Sequence, residues 1–169
     1  MDRTSFAVRG LFDELERQAG ETWPSARAPI AWRCNRDIAP LCSDRGKAKV
    51  ILHNLVGNAV KFTEPGMITV SARAVPANVE IRVADTGIGL PPECLDTIWE
   101  PFRQVDASES RSYKGTGLGL HTVKSLAELL GGTVAVQSEP ERGSSFIVRR
   151  PSPDAEVERA ATDAAAAAV

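Results

Sequence analysis

The chain has 169 residues, 43% of them hydrophobic and 25% charged, with a formal net charge of −2. That balance fits one soluble globular domain with tails and excludes an overall basic field that would recruit nucleic acid or a membrane surface. No apolar run approaches the roughly 20 residues of a membrane span and no signal-peptide pattern opens the chain, so the expected location is cytoplasmic. Cys34, Cys42 and Cys94 are an odd number without C-x-x-C spacing, which supports neither a disulfide framework nor a zinc site and reads as reduced thiols, some of them buried. His53 and His121 are the only histidines, so multi-histidine metal chemistry is excluded.

Residues 5–19 place Val8, Leu11, Phe12 and Leu15 at helical spacing, and Gly20 with Trp23-Pro24 ends that amphipathic helix. Ile30 and Trp32 alternate with smaller or polar residues across 29–34, a strand. The segment 39–46 reads as a connection. A helix then runs to about Thr63 and is stopped by Glu64-Pro65-Gly66. Residues 67–75 and 78–84 alternate around Pro76-Ala77 and predict an antiparallel hairpin. Pro91-Pro92 opens a short helix reaching about Trp99. Residues 100–115 are polar and aperiodic, and a loop of that length inside a compact domain is usually functional. A helix follows over 117–130 with Leu120, Val123, Ala127 and Leu130 as its core stripe, then strands at 133–138 and 144–149. Past Pro151 the composition turns to Pro, Asp, Glu and alanines, read as a linker, a frayed helix or a disordered end and excluded from the domain.

Three stretches carry chemistry. On the helix of residues 51–63, Ala48, Leu52, Leu55, Val56, Ala59 and Val60 share one side, while Asn54, Asn58 and Lys61 gather on the other with Phe62 at the edge. That polar face is either ordinary solvated surface or carboxamides and an ammonium aimed at a polyanion or metal. Asparagine is a poor helix former and an unusual choice for a surface helix, which is the argument for the second reading; the helix alone leaves both open. Asp85-x-Gly87-x-Gly89 leaves a strand directly. It is either a tight turn capped by Asp, or a loop whose glycines let a planar ligand reach the backbone while Asp85 accepts from an exocyclic amine. Gly115-Thr116-Gly117-Leu118-Gly119-Leu120 sits at a loop-to-helix junction, a hinge or a phosphate cradle. Its spacing is not a Rossmann fingerprint, and no Walker loop or eukaryotic-type kinase signature is present.

The order of these stretches closely resembles the ATP-binding catalytic domain of sensor histidine kinases, in the gyrase, chaperone, histidine kinase and MutL ATPase superfamily. NLVGNAVKFT matches the N box, DTGIGL the first glycine box, IWEPFRQVD the F box, GTGLGL the second glycine box, and ERGSSF the last glycine-rich segment. The opening FAVRGLFDEL resembles the lead-in to that domain, so the resemblance covers about residues 6–151. It implies a Bergerat-type two-layer α/β sandwich: a mixed, largely antiparallel sheet of about five strands under about three helices, with a mobile lid. Residues 1–5 would form the domain edge and 152–169 the linker or tail.

The resemblance also implies roles. Asn58 would coordinate Mg²⁺ together with phosphate oxygens, an oxygen-rich set that suits that ion. Asn54 would lie beside it near the phosphates, Lys61 would reach them, and Phe62 would lie against the nucleotide. Asp85 would read the adenine amine, with Ser144 supporting that end through water. Gly87, Ile88 and Gly89 would admit base and sugar. Phe102 and Gln104 would belong to the lid, and Gln104 or Arg111 would approach the γ-phosphate. Gly115, Thr116, Gly117, Leu118, Gly119 and Leu120 would wrap the phosphate chain. Lys114 and His121 depart from the glycine and alanine common there; His121 is expected at the surface and His53 in ordinary helix-flank packing.

The implied reaction is donation of the γ-phosphoryl group of Mg-ATP to a histidine on a separate dimerisation or phosphotransfer domain, in a two-component phosphorelay that reaches a response-regulator receiver domain indirectly. Relatives that hydrolyse ATP, and anti-sigma serine kinases, generally carry Glu where this chain has Asn54, and an amide cannot act as a base. The remaining alternatives are a free-standing ATP-binding regulatory module and a serine kinase. No candidate acceptor histidine precedes Phe6, so the chain alone is expected not to autophosphorylate. It reads as a piece of a larger kinase, one that could be membrane-anchored, with a following receiver domain.

Overall fold

The computed structural model describes residues 2–103, 117–153 and 155. Three helices lie against a five-stranded sheet of order β2-β4-β5-β7-β6, and a separate two-stranded sheet pairs β1 with β3. The expected fold class is the one observed. The strands are β1 (Thr4–Phe6), β2 (Ile30–Cys34), β3 (Leu41–Ser43), β4 (Ile68–Val75), β5 (Asn78–Asp85), β6 (Thr133–Glu139) and β7 (Gly143–Pro151); the helices are α1 (Val8–Thr22), α2 (Arg45–Phe62) and α3 (Gly119–Leu129). In the large sheet only the β2–β4 pair is parallel.

Register explains the layering, because residues opposite one another in a ladder point to the same side. Trp32, Val70, Val83, Phe146 and Val136 form one cross-sheet row, and Cys34, Ala72, Ile81, Val148 and Val134 the next. These rows face the helices. Phe12 of α1 meets Trp32 edge-on, with ring centroids 5.5 Å apart. Leu52, Leu55 and Val56 of α2 and Val123 and Ala127 of α3 complete a single core. The opposite side of the sheet carries Arg33 and, around Glu80, Arg73, Arg82 and Arg149; the Glu80 carboxylate is only 1% exposed. Glu80 accepts from Arg73 and Arg149. Burial alone would push its carboxyl up, but those guanidiniums outweigh it and hold the group below its ordinary range.

Capping sets where α2 begins. Asp44 Oδ1 accepts the Lys47 N–H at 3.0 Å, and Oδ2 takes the Asp2 N–H and the Lys47 ammonium. These contacts hold the Asp44 carboxyl at about 2, well below the usual carboxylate range. Glu14 on α1 binds both Arg45 and Lys49 of α2, which lowers it to about 2 as well.

Several local expectations differ from the structure. The connection expected over 39–46 contains β3, and β1 includes Thr4 and Ser5, ahead of the boundary at residue 6. The helix expected from Pro91 to Trp99 is one 3₁₀ turn, Pro92–Cys94, followed by further turns. Beyond residue 151, the Ser152 N–H bonds Ala77 O at 3.0 Å and Ala155 is buried. His121, expected at the surface, is half-buried, with its ring Nδ1 donating to Trp99 O at 3.2 Å, whereas His53 packs at the helix flank as expected, 5.5 Å from Trp23. Cys34 and Cys94 are half-buried free thiols, and Cys42 is an exposed one.

Candidate functional site

Helix α2 runs along the site and joins its two ends. Asn54 and Phe62 are eight residues apart, about 12 Å along the axis. At the first end, the Asn54 amide nitrogen donates to Val50 O at 2.9 Å, which leaves its oxygen turned toward α3. A Cβ added at Gly119 would sit 3.0 Å from that oxygen, so glycine is what allows the start of α3 to approach Asn54 this closely. Leu118 caps α3 without any side-chain bond, so among the described residues none takes the first N–H groups at the positive end of the helix. Leu118 and Leu120 flank Gly119 and are half-buried.

Asn58, one turn after Asn54, is half-buried and has no side-chain hydrogen bond among the described residues. Those residues contain no group of three His, Cys, Asp or Glu side chains able to hold a metal. The donor set therefore fits a cation that shares one carboxamide oxygen with oxygens of a bound ligand, and does not fit an all-protein metal cage. Lys61, in the last turn of α2, places its ammonium 4.8 Å from the centroid of the Phe62 ring. Partial burial lowers its pKa.

At the second end, the loop after β5 is clamped between α2 and the β6–β7 hairpin by backbone contacts. The Ile88 N–H donates to Phe62 O at 3.2 Å, and Ile88 O accepts the Glu141 N–H at 2.8 Å. Gly89 has φ +68, and a Cβ there would collide with the Glu139 carbonyl, so both conformation and closeness require glycine. Ile88 itself is exposed. Asp85 Oδ1 accepts the Gly87 N–H at 2.9 Å and the Ser144 N–H at 3.3 Å. This leaves Oδ2 with no hydrogen bond among the described residues. Burial pushes the Asp85 carboxyl up, while the two backbone donors pull it down; burial prevails.

Phe102 is 74% exposed with φ 61, an uncommon conformation for a bulky side chain. Its N–H donates to Gly117 O at 3.1 Å, which ties residue 102 to residue 117 across the expected lid. Gln104, Arg111, Lys114, Gly115 and Thr116 lie outside the described residues. The structure thus brings Asn54 to Gly119 and Phe62 to the Asp85 loop. Sequence reasoning missed Ser138, whose hydroxyl accepts the Leu90 N–H at 2.8 Å. Its partner is 48 residues away, and a lone serine in an alternating strand carries no local signal.

Known proteins resemble this chain at several levels. It is 43% identical over 128 residues to the autoinducer 2 sensor kinase/phosphatase LuxQ of Vibrio vulnificus, covering 72% of this chain and 15% of LuxQ. It is 34% identical over 152 residues to the signal transduction histidine-protein kinase BarA of Escherichia coli, covering 86% of this chain and 17% of BarA. The chain therefore spans about a sixth of the length of these relatives. Among solved structures, full-length ShkA in complex with AMPPNP matches with a TM-score of 0.79 at 32% identity, over 90% of this chain and 31% of ShkA. The catalytic domain of histidine kinase ThkA, in a nucleotide-free form, matches with a TM-score of 0.76 at 28% identity, over 90% of this chain and 99% of that domain. Residues 43–154 match the family model for the histidine kinase-, DNA gyrase B- and HSP90-like ATPases, and the chain belongs to that family.

Proposed function

We propose that this chain binds Mg-ATP and donates the γ-phosphoryl group to a histidine on a separate dimerisation or phosphoacceptor domain, as the catalytic part of a two-component histidine kinase. The observation that carries the proposal is the two-ended site along α2: Asn54 against the uncapped start of α3, and Phe62 against the Asp85 loop. The helix N–H groups and Lys61 supply positive potential for phosphates, and Asp85 Oδ2 supplies an acceptor for the adenine amine. Asn58 would offer its amide oxygen to Mg²⁺, which when bound neutralises phosphate charge. Gln104 and Arg111 are assigned to the γ-phosphate from the family resemblance.

With no carboxylate at position 54, the chain has nothing there to deprotonate water or a serine hydroxyl. Its contribution is positioning and electrostatic stabilisation, which are the main protein terms in phosphoryl transfer. AMPPNP in the ShkA complex, a protein 32% identical, also supports a nucleoside triphosphate ligand. The expected partners are the acceptor domain directly and a receiver domain indirectly, in the cytoplasm; no helix among the described residues is long and apolar enough to cross a membrane. Labelled ATP should phosphorylate a histidine kinase dimerisation domain supplied in trans, and the label should be acid-labile. Acid-stable label on serine, or release of free phosphate without transfer, would contradict the proposal.

A further inference from the structure

The Ser138 hydroxyl is the point where two backbone groups and one further side chain meet beside Asp85. It lies 2.8 Å from the Leu90 nitrogen, 2.9 Å from the Gly143 carbonyl oxygen and 2.9 Å from the Ser144 hydroxyl. A serine hydroxyl has one proton and two lone pairs. The Leu90 N–H can only donate and the Gly143 carbonyl can only accept. All three bonds form together in one arrangement: Leu90 N–H donates to Ser138, Ser138 donates to Gly143, and Ser144 donates to Ser138. The proton of Ser144 is thereby turned toward Ser138, and its remaining lone pairs are left to face any ligand.

Ser144 sits next to Asp85, its own N–H bonded to Oδ1. In the sheet, Ser144 alternates in phase with Phe146 and Val148, and Asp85 pairs with Ile68, so both lie on the helix-facing side. The base end of the site consequently presents acceptors from both residues. Resting on the nucleotide reading above, we infer that Ser138 is a specificity-determining positioning residue: it orients the Ser144 hydroxyl so that the pocket selects a 6-amino purine over a 6-oxo purine. A 6-oxo group in direct contact would set an acceptor against acceptors, and specificity of this kind comes from unpaired polar groups in the wrong complex. Removing the Ser138 hydroxyl frees Ser144 to rotate and donate to a 6-oxo group.

The test uses the full chain and two nucleotides that differ at the purine 6 position, ATP and inosine triphosphate, each displacing a fluorescent ATP analogue at fixed Mg²⁺. The readout is the ratio of the two dissociation constants. Ser138→Ala should reduce the preference for ATP about fivefold, the worth of roughly one neutral hydrogen bond. Ser138→Thr, which keeps a hydroxyl, should restore it. Ser144→Ala should reproduce the loss, and the double variant should lose no more than either single one. Equal weakening of both nucleotides in Ser138→Ala, or additive losses in the double variant, would mean that Ser138 only supports the fold and would overturn the inference. Failure of the unsubstituted chain to bind either nucleotide would overturn the nucleotide reading itself, and the inference with it.

Discussion

In the proposed site, Asp85 supplies an ionisable hydrogen-bond acceptor and Asn54 a group that cannot take a proton. Asp85 is half-buried, and burial raises its pKa above the ordinary 3.8. The sign for stability follows: the folded protein holds this proton more tightly than the unfolded chain, so the carboxyl opposes folding increasingly as pH rises from its unfolded pKa through its folded one, and that cost is fully present only above the folded pKa. For binding the direction is opposite. The ionised form is the one that accepts an amine, so the ATP affinity of the unsubstituted chain should fall on acidification earlier than an ordinary aspartate would predict. Titration of ATP itself is common to all variants, so the gap between the unsubstituted chain and Asp85→Asn is the informative quantity. It should narrow toward acid pH; a gap independent of pH from 7 down to 4 would show that Asp85 ionisation plays no part.

Elements, more than single residues, decide how the two ends of the site are held. The close approach of α3 to α2 depends on Gly119, which gives a contrast between stability and binding. Alanine is the better helix former by about 1 kcal/mol, though less at a first-turn position. Its methyl would press on the Asn54 oxygen at 3.0 Å. Gly119→Ala should therefore leave the melting temperature within a few degrees while weakening ATP binding several-fold, seen by calorimetry and thermal unfolding on the same sample. Unchanged affinity would mean that the junction does not bear on the ligand.

Legibility in the sequence follows the same scale. Elements with a clear period were readable: the Val8, Leu11, Phe12, Leu15 stripe, the Asn-bearing helix and the hairpin around Pro76-Ala77. β3 was not, because three residues are too few to show alternation and its partner β1 lies far back in the chain. The 3₁₀ turn after Pro91 was read as a longer helix because proline signals a helical start without fixing its length. At the site, Asn58, Asp85 and the glycines stood out as residue types unusual for their place. Ser138 did not, since its importance arises only from the chain segments that the fold brings to it.

Across the whole molecule, charged groups also tie neighbouring helices to one another. Glu14 joins α1 to α2 through Arg45 and Lys49, and its pKa falls from 4.5 to about 2. A depressed carboxyl contributes stability above its unfolded value and loses it as pH falls through the folded one. Glu14→Gln should lower stability at pH 7 by on the order of 1 kcal/mol, as a partly exposed network does. In urea unfolding, the difference from the unsubstituted chain should shrink between pH 4.5 and about 2. A constant difference over that range would assign the effect to packing and not to charge.

Whether one helix holds both ends of Mg-ATP is decided by calorimetric titration of ATP into the full chain, with and without Mg²⁺. The site predicts that Asp85→Asn weakens binding about 10- to 100-fold in either condition, the range for a hydrogen bond to a charged group. It also predicts that Asn58→Ala weakens binding only when Mg²⁺ is present. Unchanged affinity in both variants, in a chain that binds ATP, would contradict the account.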